Sequence, residues 1–213
     1  MDVVVAGGHG KIGLRLLRLL AQAGHNGRGL IRNPHQAADL EEVQATPVVC
    51  DMESEDDLSS YLDGADAVVF AAGAGPGSGA ERKKTVDFGA AVKLIEAAKA
   101  TGVSRYVIVS AIAAPRMANE PGAMQPYFQA KAQADAALER AGLDQTIVRP
   151  GGLTDDPGTG QVTAAPELER GGQIPRDDVA AVLLAVLESP NTVGKAFDLV
   201  GGDTPVGDAV REL

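Results

Sequence analysis

Apolar and polar positions along this chain follow two alternating periods. Short β-branched or continuously apolar runs lie at 2–6, 28–32, 46–50, 66–71, 105–110 and 144–149, and read as strands. Helical patterns fill the intervals at 11–23, 35–43, 54–62, 81–101, 126–141 and 177–188. The last of these places Val179, Val182, Leu183, Val186 and Leu187 on one face. A strand at 195–200 and a short helix at 205–212 are expected to close one edge. Strands alternating with helices imply right-handed βαβ units, hence an α/β fold: a doubly wound parallel sheet with helices on both faces. Three loops, 73–79, 111–125 and 150–160, follow the fourth, fifth and sixth strands. They should share the carboxyl edge of the sheet, where such folds bind ligands.

Composition narrows this picture. With 213 residues one domain is the default and a sizeable core can be buried. Aromatic residues make up only 3% of the chain, so Ala, Val, Leu and Ile must build that core, which suits a covered parallel sheet. The net charge of −10 argues against nucleic acid or an anionic membrane as partner. No apolar run is long enough to span a bilayer. The single cysteine, Cys50, excludes an internal disulfide, fits a reducing compartment and ends an apolar run, so burial is expected. With the first strand read from residue 2, no signal peptide is expected. We expect a cytoplasmic protein, monomer or small homo-oligomer, acting on a small-molecule substrate.

Residues 2–13, DVVVAGGHGKIG, carry the most specific chemistry. Val3, Val4 and Val5 run into a glycine turn, and a helix pattern starts at Lys11 and Ile12. Gly7, Gly10 and Gly13 are spaced G-x-x-G-x-x-G, with an extra Gly8. The first lets the chain leave the strand tightly, the second admits a pyrophosphate to the backbone, and the third allows close helix packing. The helix N-terminus adds free N–H groups and a positive dipole end. This predicts a dinucleotide-binding, Rossmann-like domain over 1–213. Residues 1–110 would form the cofactor half, and 111–213 the catalytic helix and substrate-side loops.

Arg32 ends the second strand about 20 residues past the turn, where NAD-selective sites carry a carboxylate and NADP sites a cation. The row GLIRNP has no acidic residue, and His9 and Lys11 could add positive charge. NADP(H) is therefore the expected cofactor, against a merely solvated arginine. Asp51 follows the third strand and could meet the adenine amino group or cap a helix. Tyr127 and Lys131 form Y-x-x-x-K, which puts both on one helix face. A nearby ammonium would lower the tyrosine pKa, and the lysine could also hold the nicotinamide ribose. Asp155 and Asp156 read as a solvated turn with no metal role. Arg176, Asp177 and Asp178 read as a helix start, and His25 and His35 as exposed.

With these residues the chain resembles the short-chain dehydrogenase/reductase family. It is most similar to the atypical compact NAD(P)H-binding branch related to flavin/biliverdin reductases and NmrA-like sensors. AGGHGKIG, LIRNP, VVFAAGAG, RYVIVSAI, YFQAK, TIVRPGGL and IPRDDVA follow in the family's order over essentially the whole chain. The resemblance implies that Ala71, Ala72 and Gly73 line the adenosine ribose and pyrophosphate. It implies that Pro150, Gly151, Gly152 and Leu153 meet the nicotinamide amide, and that Ser110 sits near the substrate oxygen. Asn33 and Met52 join the cofactor-binding set. The family's active-site hydroxyl often lies one or two residues further on, where this chain has Ala111 and Ile112. Ser110 would then face into the sheet. The long C-terminal extension of nucleotide-sugar epimerases is missing, which disfavours a large sugar-nucleotide substrate. The expected function is NADP(H)-dependent oxidoreduction with Tyr127, Lys131 and Ser110 as catalytic residues. The alternatives are a non-catalytic NADP(H) sensor and a compact epimerase/dehydratase relative.

Overall fold

The computed structural model describes residues 1–75 and 77–213; Pro76, inside the loop expected at 73–79, lies outside the described residues. A nine-stranded sheet runs in the order β11-β8-β10-β6-β5-β4-β1-β2-β3. Its strands are β1 (Asp2–Ala6), β2 (Asn26–Ile31), β3 (Thr46–Val49), β4 (Ala67–Phe70), β5 (Arg105–Val109), β6 (Asp144–Pro150), β8 (Gln161–Ala165), β10 (Lys195–Gly201) and β11 (Thr204–Pro205). The pairings from β3 through to β10 are parallel, while β8 runs antiparallel to both β10 and β11. β7 (Gly152–Thr154) and β9 (Gln173–Pro175) form a separate parallel pair. The doubly wound expectation holds, with an antiparallel edge added. β7, β8, β9 and β11 were not legible in the sequence. They are two to five residues long, and their pairing comes from distant segments.

Alternation along each strand feeds two cores. Val3 and Val5 join Val69, Val107 and Val148 on one face, against α1 (Lys11–Gln22), α2 (Ala37–Glu42), α7 (Arg176–Glu188) and α8 (Val206–Arg211). Val4 and Ala6 join Phe70, Tyr106 and Ile108 on the other, against α4 (Ala91–Thr101) and α6 (Gln125–Glu139). Leu16, Leu17 and Leu20 of α1 are fully buried, each worth about 1.5–3 kcal/mol of apolar transfer. Cys50 is buried as expected, and burial pushes its thiol up to about 11.

Two expected helices change form. The segment 54–62 winds only as a 3-10 turn at Ser59–Leu62. Its polar side chains compete for the backbone, with the Asp57 carboxylate taking both the N–H and the hydroxyl of Ser59. Upstream, the Lys93 ammonium donates to the carbonyls of Met52, Glu53 and Glu55. The helix expected at 81–101 is continuous but not uniform. α3 (Ala80–Arg82) passes through a π-helical stretch, Lys83–Ala90, into α4. α5 (Ala114–Met117) is a single turn inside the loop expected at 111–125.

Candidate functional site

The carboxyl ends of β1, β4, β5 and β6 bring the sequence-derived candidates to one edge. Gly7 takes φ +80°, which lets β1 turn sharply, and a Cβ there would lie 2.8 Å from the Ala72 Cα. Gly13 approaches the same turn: its Cβ would lie 2.2 Å from the Gly7 carbonyl oxygen. The third glycine thus seats α1 on the turn itself. Gly10 caps α1 in extended conformation with no side-chain cap, and the first helical turn has no acidic residue. The N–H groups of Lys11, Ile12 and Gly13 find no acceptor within the described residues, and they form the positive end of α1. Ala71 and Ala72 border the turn, and a Cβ on Gly10 would enter the space beside the Gly7 carbonyl. Residues of this kind fit a dinucleotide pyrophosphate.

The flanking side chains expected to add positive charge are both paired with carboxylates. The His9 ring is hydrogen-bonded to Asp39 at 2.6 Å and to Gln36 at 3.0 Å. Lys11 reaches Asp155 at 2.5 Å, and Arg176 reaches the same carboxylate at 2.7 Å. Asp155 is therefore a tie between the glycine turn and the loop after β7, rather than an idle turn residue. Its carboxyl is held below the usual range, first by Lys11 and then by Arg176. Asp177 accepts from Arg15 and from the Gly158 N–H, while buried Asp178 accepts from Thr159 and Gly160. The expected helix start at 176–178 thus also anchors this loop. His25 departs from its exposed expectation: it is wedged between the N-terminal amine and Glu188. His35 is exposed.

Asp51 caps no helix; its carboxylate accepts the Glu53 N–H at 3.1 Å and shapes a turn. Asn33 caps the 3-10 turn Pro34–Gln36 through the His35 N–H. Met52 packs against the second core. Glu53 then collects three donors: Thr85 at 2.8 Å, Arg82 at 3.1 Å and Arg32 at 3.4 Å. Burial raises the Glu53 carboxyl, but Thr85 and the two arginines outweigh it and leave the group lowered. The sequence offered no carboxylate beside Arg32; the fold supplies one from the β3–β4 connection.

On α6, Lys131 lies 4% exposed and donates to the Val109 carbonyl at 3.0 Å. Its ammonium also stands 3.2 Å from the Asp87 carboxylate and 5.9 Å from the centre of the Phe70 ring. Asp87 comes from the π-helical stretch and accepts the Ala74 N–H as well. One turn beyond Lys131, buried Asp135 pairs with Arg149 at 3.0 Å. The Ser110 hydroxyl is buried without a well-formed partner and faces Asp135. Burial raises the Asp135 carboxyl against the opposing pull of Ser110 and Arg149. Tyr127, half-buried, has its phenol pushed up to about 12, first by burial, then by Asp87 and Asp135. This corrects the expected lowering: the Lys131 charge is spent on Asp87, and two carboxylates oppose a phenolate. Asp87 and Asp135 were missed by the sequence reading. The available signal was an acid on a buried stripe, Asp87 beside Val86 and Ala90, and Asp135 beside Ala134 and Leu138.

The expected loop 150–160 begins as strand: Pro150 ends β6, and the Gly152 N–H donates to the Gly172 carbonyl at 2.8 Å. Gly151 and Leu153 lie in the same run, with Leu153 exposed. Ala111 is buried, and the Ile112 N–H donates to the Pro150 carbonyl. Gly73 lies beside Asp87. A groove of about 590 Å³ lies elsewhere, between Phe88 and Val92 on one side and Ala132 and Ala136 on the other, and meets none of these residues.

A family model for NAD(P)H-binding proteins matches residues 7–190. The chain belongs to this NAD(P)H-binding family. A Bacillus subtilis protein named as an uncharacterized sugar epimerase, YhfK, is 43% identical over 215 residues, covering 100% of both chains. A solved Bacillus halodurans structure, titled as a candidate NAD-dependent epimerase/dehydratase, superposes with TM-score 0.95 at 38% identity, covering 100% of both chains. The oxidoreductase YlbE from Lactococcus lactis superposes with TM-score 0.86 at 26% identity, covering 100% of this chain and 96% of the other. The fold these structures share with this chain is Rossmann-like. No described helix is long and apolar enough to cross a membrane.

Proposed function

We propose that the chain is an NADP(H)-dependent oxidoreductase acting on a small carbonyl, quinone or flavin-like acceptor. The observation that carries this reading is the convergence of an uncapped α1 N-terminus and a buried Lys131–Asp87 pair, with half-buried Tyr127 on the same helix, on one sheet edge. The backbone of Gly7 to Gly13 holds the pyrophosphate, bordered by Ala71, Ala72 and Gly73. Arg32 meets the 2′-phosphate, and Asp51 and Met52 border the adenine. Lys131 has three N–H donors; Val109 takes one, and Asp87 matches the charge at 3.2 Å with its Oδ1 left without a hydrogen-bond donor, so donor capacity remains for the nicotinamide ribose. When bound, the nicotinamide would supply the hydride. Tyr127, kept protonated, donates its proton to the substrate oxygen as charge develops there. Pro150 to Leu153 line the amide side.

A second reading, a cofactor-binding sensor without turnover, is favoured by Ser110, whose hydroxyl faces Asp135 while Ala111 follows it. The relatives' names add a third, sugar epimerisation. Calorimetry with NADPH and NADH, wild type against Arg32→Ala, tests the cofactor. Losing a charge-assisted contact at this exposed edge should cost NADPH about 1.5–3 kcal/mol and NADH little. Equal or tighter NADH binding by the wild type overturns it. NADPH consumption with quinones, flavins and aldehydes tests turnover. Tight binding without consumption of any of them favours the sensor.

A further inference from the structure

Arg32 and Arg82 arrive from different parts of the chain, the end of β2 and the helix after β4, yet both end on one carboxylate. Glu53 Oε2 takes Arg82 at 3.1 Å and Arg32 at 3.4 Å, while Oε1 takes the Thr85 hydroxyl at 2.8 Å. This is the donor set a phosphate monoester asks for: two guanidinium groups and a hydroxyl around one anionic oxygen cluster. Both arginines remain largely exposed, at 58% and 44%, whereas Glu53 is 26% exposed. The carboxylate therefore sits beneath the cations, and a ligand can approach them from the solvent side. Its position is fixed by the backbone. The Asp51 carboxylate accepts the Glu53 N–H, and the Lys93 ammonium donates to the Glu53 carbonyl at 3.1 Å.

We infer that Glu53 is a specificity-determining residue that sets the balance between the phosphorylated and unphosphorylated dinucleotide, with Arg82 as a second phosphate-binding cation. The inference rests on the proposed placement of the cofactor's 2′-phosphate at Arg32. Two opposing effects act on the phosphorylated ligand. Glu53 pre-positions the arginines, which helps it. Glu53 also competes for the same donors and repels the incoming phosphate, which hinders it. Pre-positioning by exposed ion pairs is worth little, while two anions sharing two cations repel directly, so hindrance wins. For the unphosphorylated ligand the sign reverses. A carboxylate at this place can accept the ribose 2′-hydroxyl, the role an acid at the end of the second strand plays in NAD-selective sites.

The experiment uses calorimetry of NADPH, NADH, 2′,5′-ADP and 5′-AMP with wild type, Glu53→Gln, Arg82→Ala and Arg32→Ala. Glu53→Gln keeps the side-chain size and its hydrogen bond to Thr85, and circular dichroism checks the fold. It should raise the ratio of NADPH to NADH affinity about tenfold, by tightening NADPH and weakening NADH. The same change should appear for 2′,5′-ADP against 5′-AMP, which carry no nicotinamide. Arg82→Ala should lower both ratios. An unchanged or lowered ratio in Glu53→Gln, with Arg32→Ala still costing NADPH affinity, overturns the role of Glu53 alone. If Arg32→Ala leaves NADPH affinity untouched, the placement of the 2′-phosphate fails and this inference fails with it.

Discussion

Lys131 sits inside the protein because its charge is matched on arrival. Desolvating an ammonium is costly, and the Asp87 carboxylate and the Val109 carbonyl offset that cost together. The same pairing removes the field that would have eased ionisation of Tyr127. Its phenol, at about 12 instead of 10.0, stays protonated throughout the neutral range. The sign follows: the acid form persists as pH rises and is lost only on approaching the raised pKa. Wild type should show no Tyr127 tyrosinate absorbance below about pH 9, read as the difference from Tyr127→Phe. A tyrosinate signal growing in near neutrality would contradict this. With a substrate in hand, Tyr127→Phe should cut kcat by about 10²–10⁴-fold and spare cofactor affinity. Unchanged turnover would remove Tyr127 as the acid.

At the scale of elements, α1 and the preceding turn act as one unit. A helix that starts uncapped leaves its first N–H groups unsatisfied, a cost tolerated where an anion completes them. Gly10→Val places a branched side chain beside the Gly7 carbonyl and over those groups. Dinucleotide binding should be lost while the circular dichroism spectrum is kept. Retained affinity would reduce the glycine turn to a connection. The π-helical stretch Lys83–Ala90 makes a different kind of contribution. Its wider turn changes which side chains face inward and carries Asp87 to 1% exposure under Lys131. The apolar stripe beside Asp87 hints at an inward acid, but the segment's period does not signal the wider turn. The short connection 54–62 likewise gave up its helix to Asp57 and to Lys93, a residue from another element.

For the whole molecule, the sheet divides the core into two layers that share every central strand. Leu16 packs in one layer from α1 and Leu94 in the other from α4, both fully buried. Each truncation to Ala should cost about 2–5 kcal/mol. The two sites belong to separate core clusters on opposite faces of the sheet. The double variant should therefore lose the sum within about 0.3–0.5 kcal/mol, in a single denaturant transition. Two transitions, or a double variant no worse than one single variant, would show the layers unfolding separately.

The sequence by itself determined the order of the parallel strands and of the main helices between them, the glycine turn at the head of α1 and the shared face of Tyr127 and Lys131. Each of these is written in neighbouring residues: alternation, a turn requiring glycine, a spacing of four on a helix. The tertiary structure decided which charges meet. Asp87 takes Lys131, Asp155 takes Lys11, and Glu53 takes Arg32 and Arg82. It also decided the antiparallel edge, where β8 pairs with β10 across an intervening helix. Periodicity reports which face of an element is buried. It carries no information about which side chain a separate βα unit will bring against that face, and here that choice sets the charge around every candidate residue.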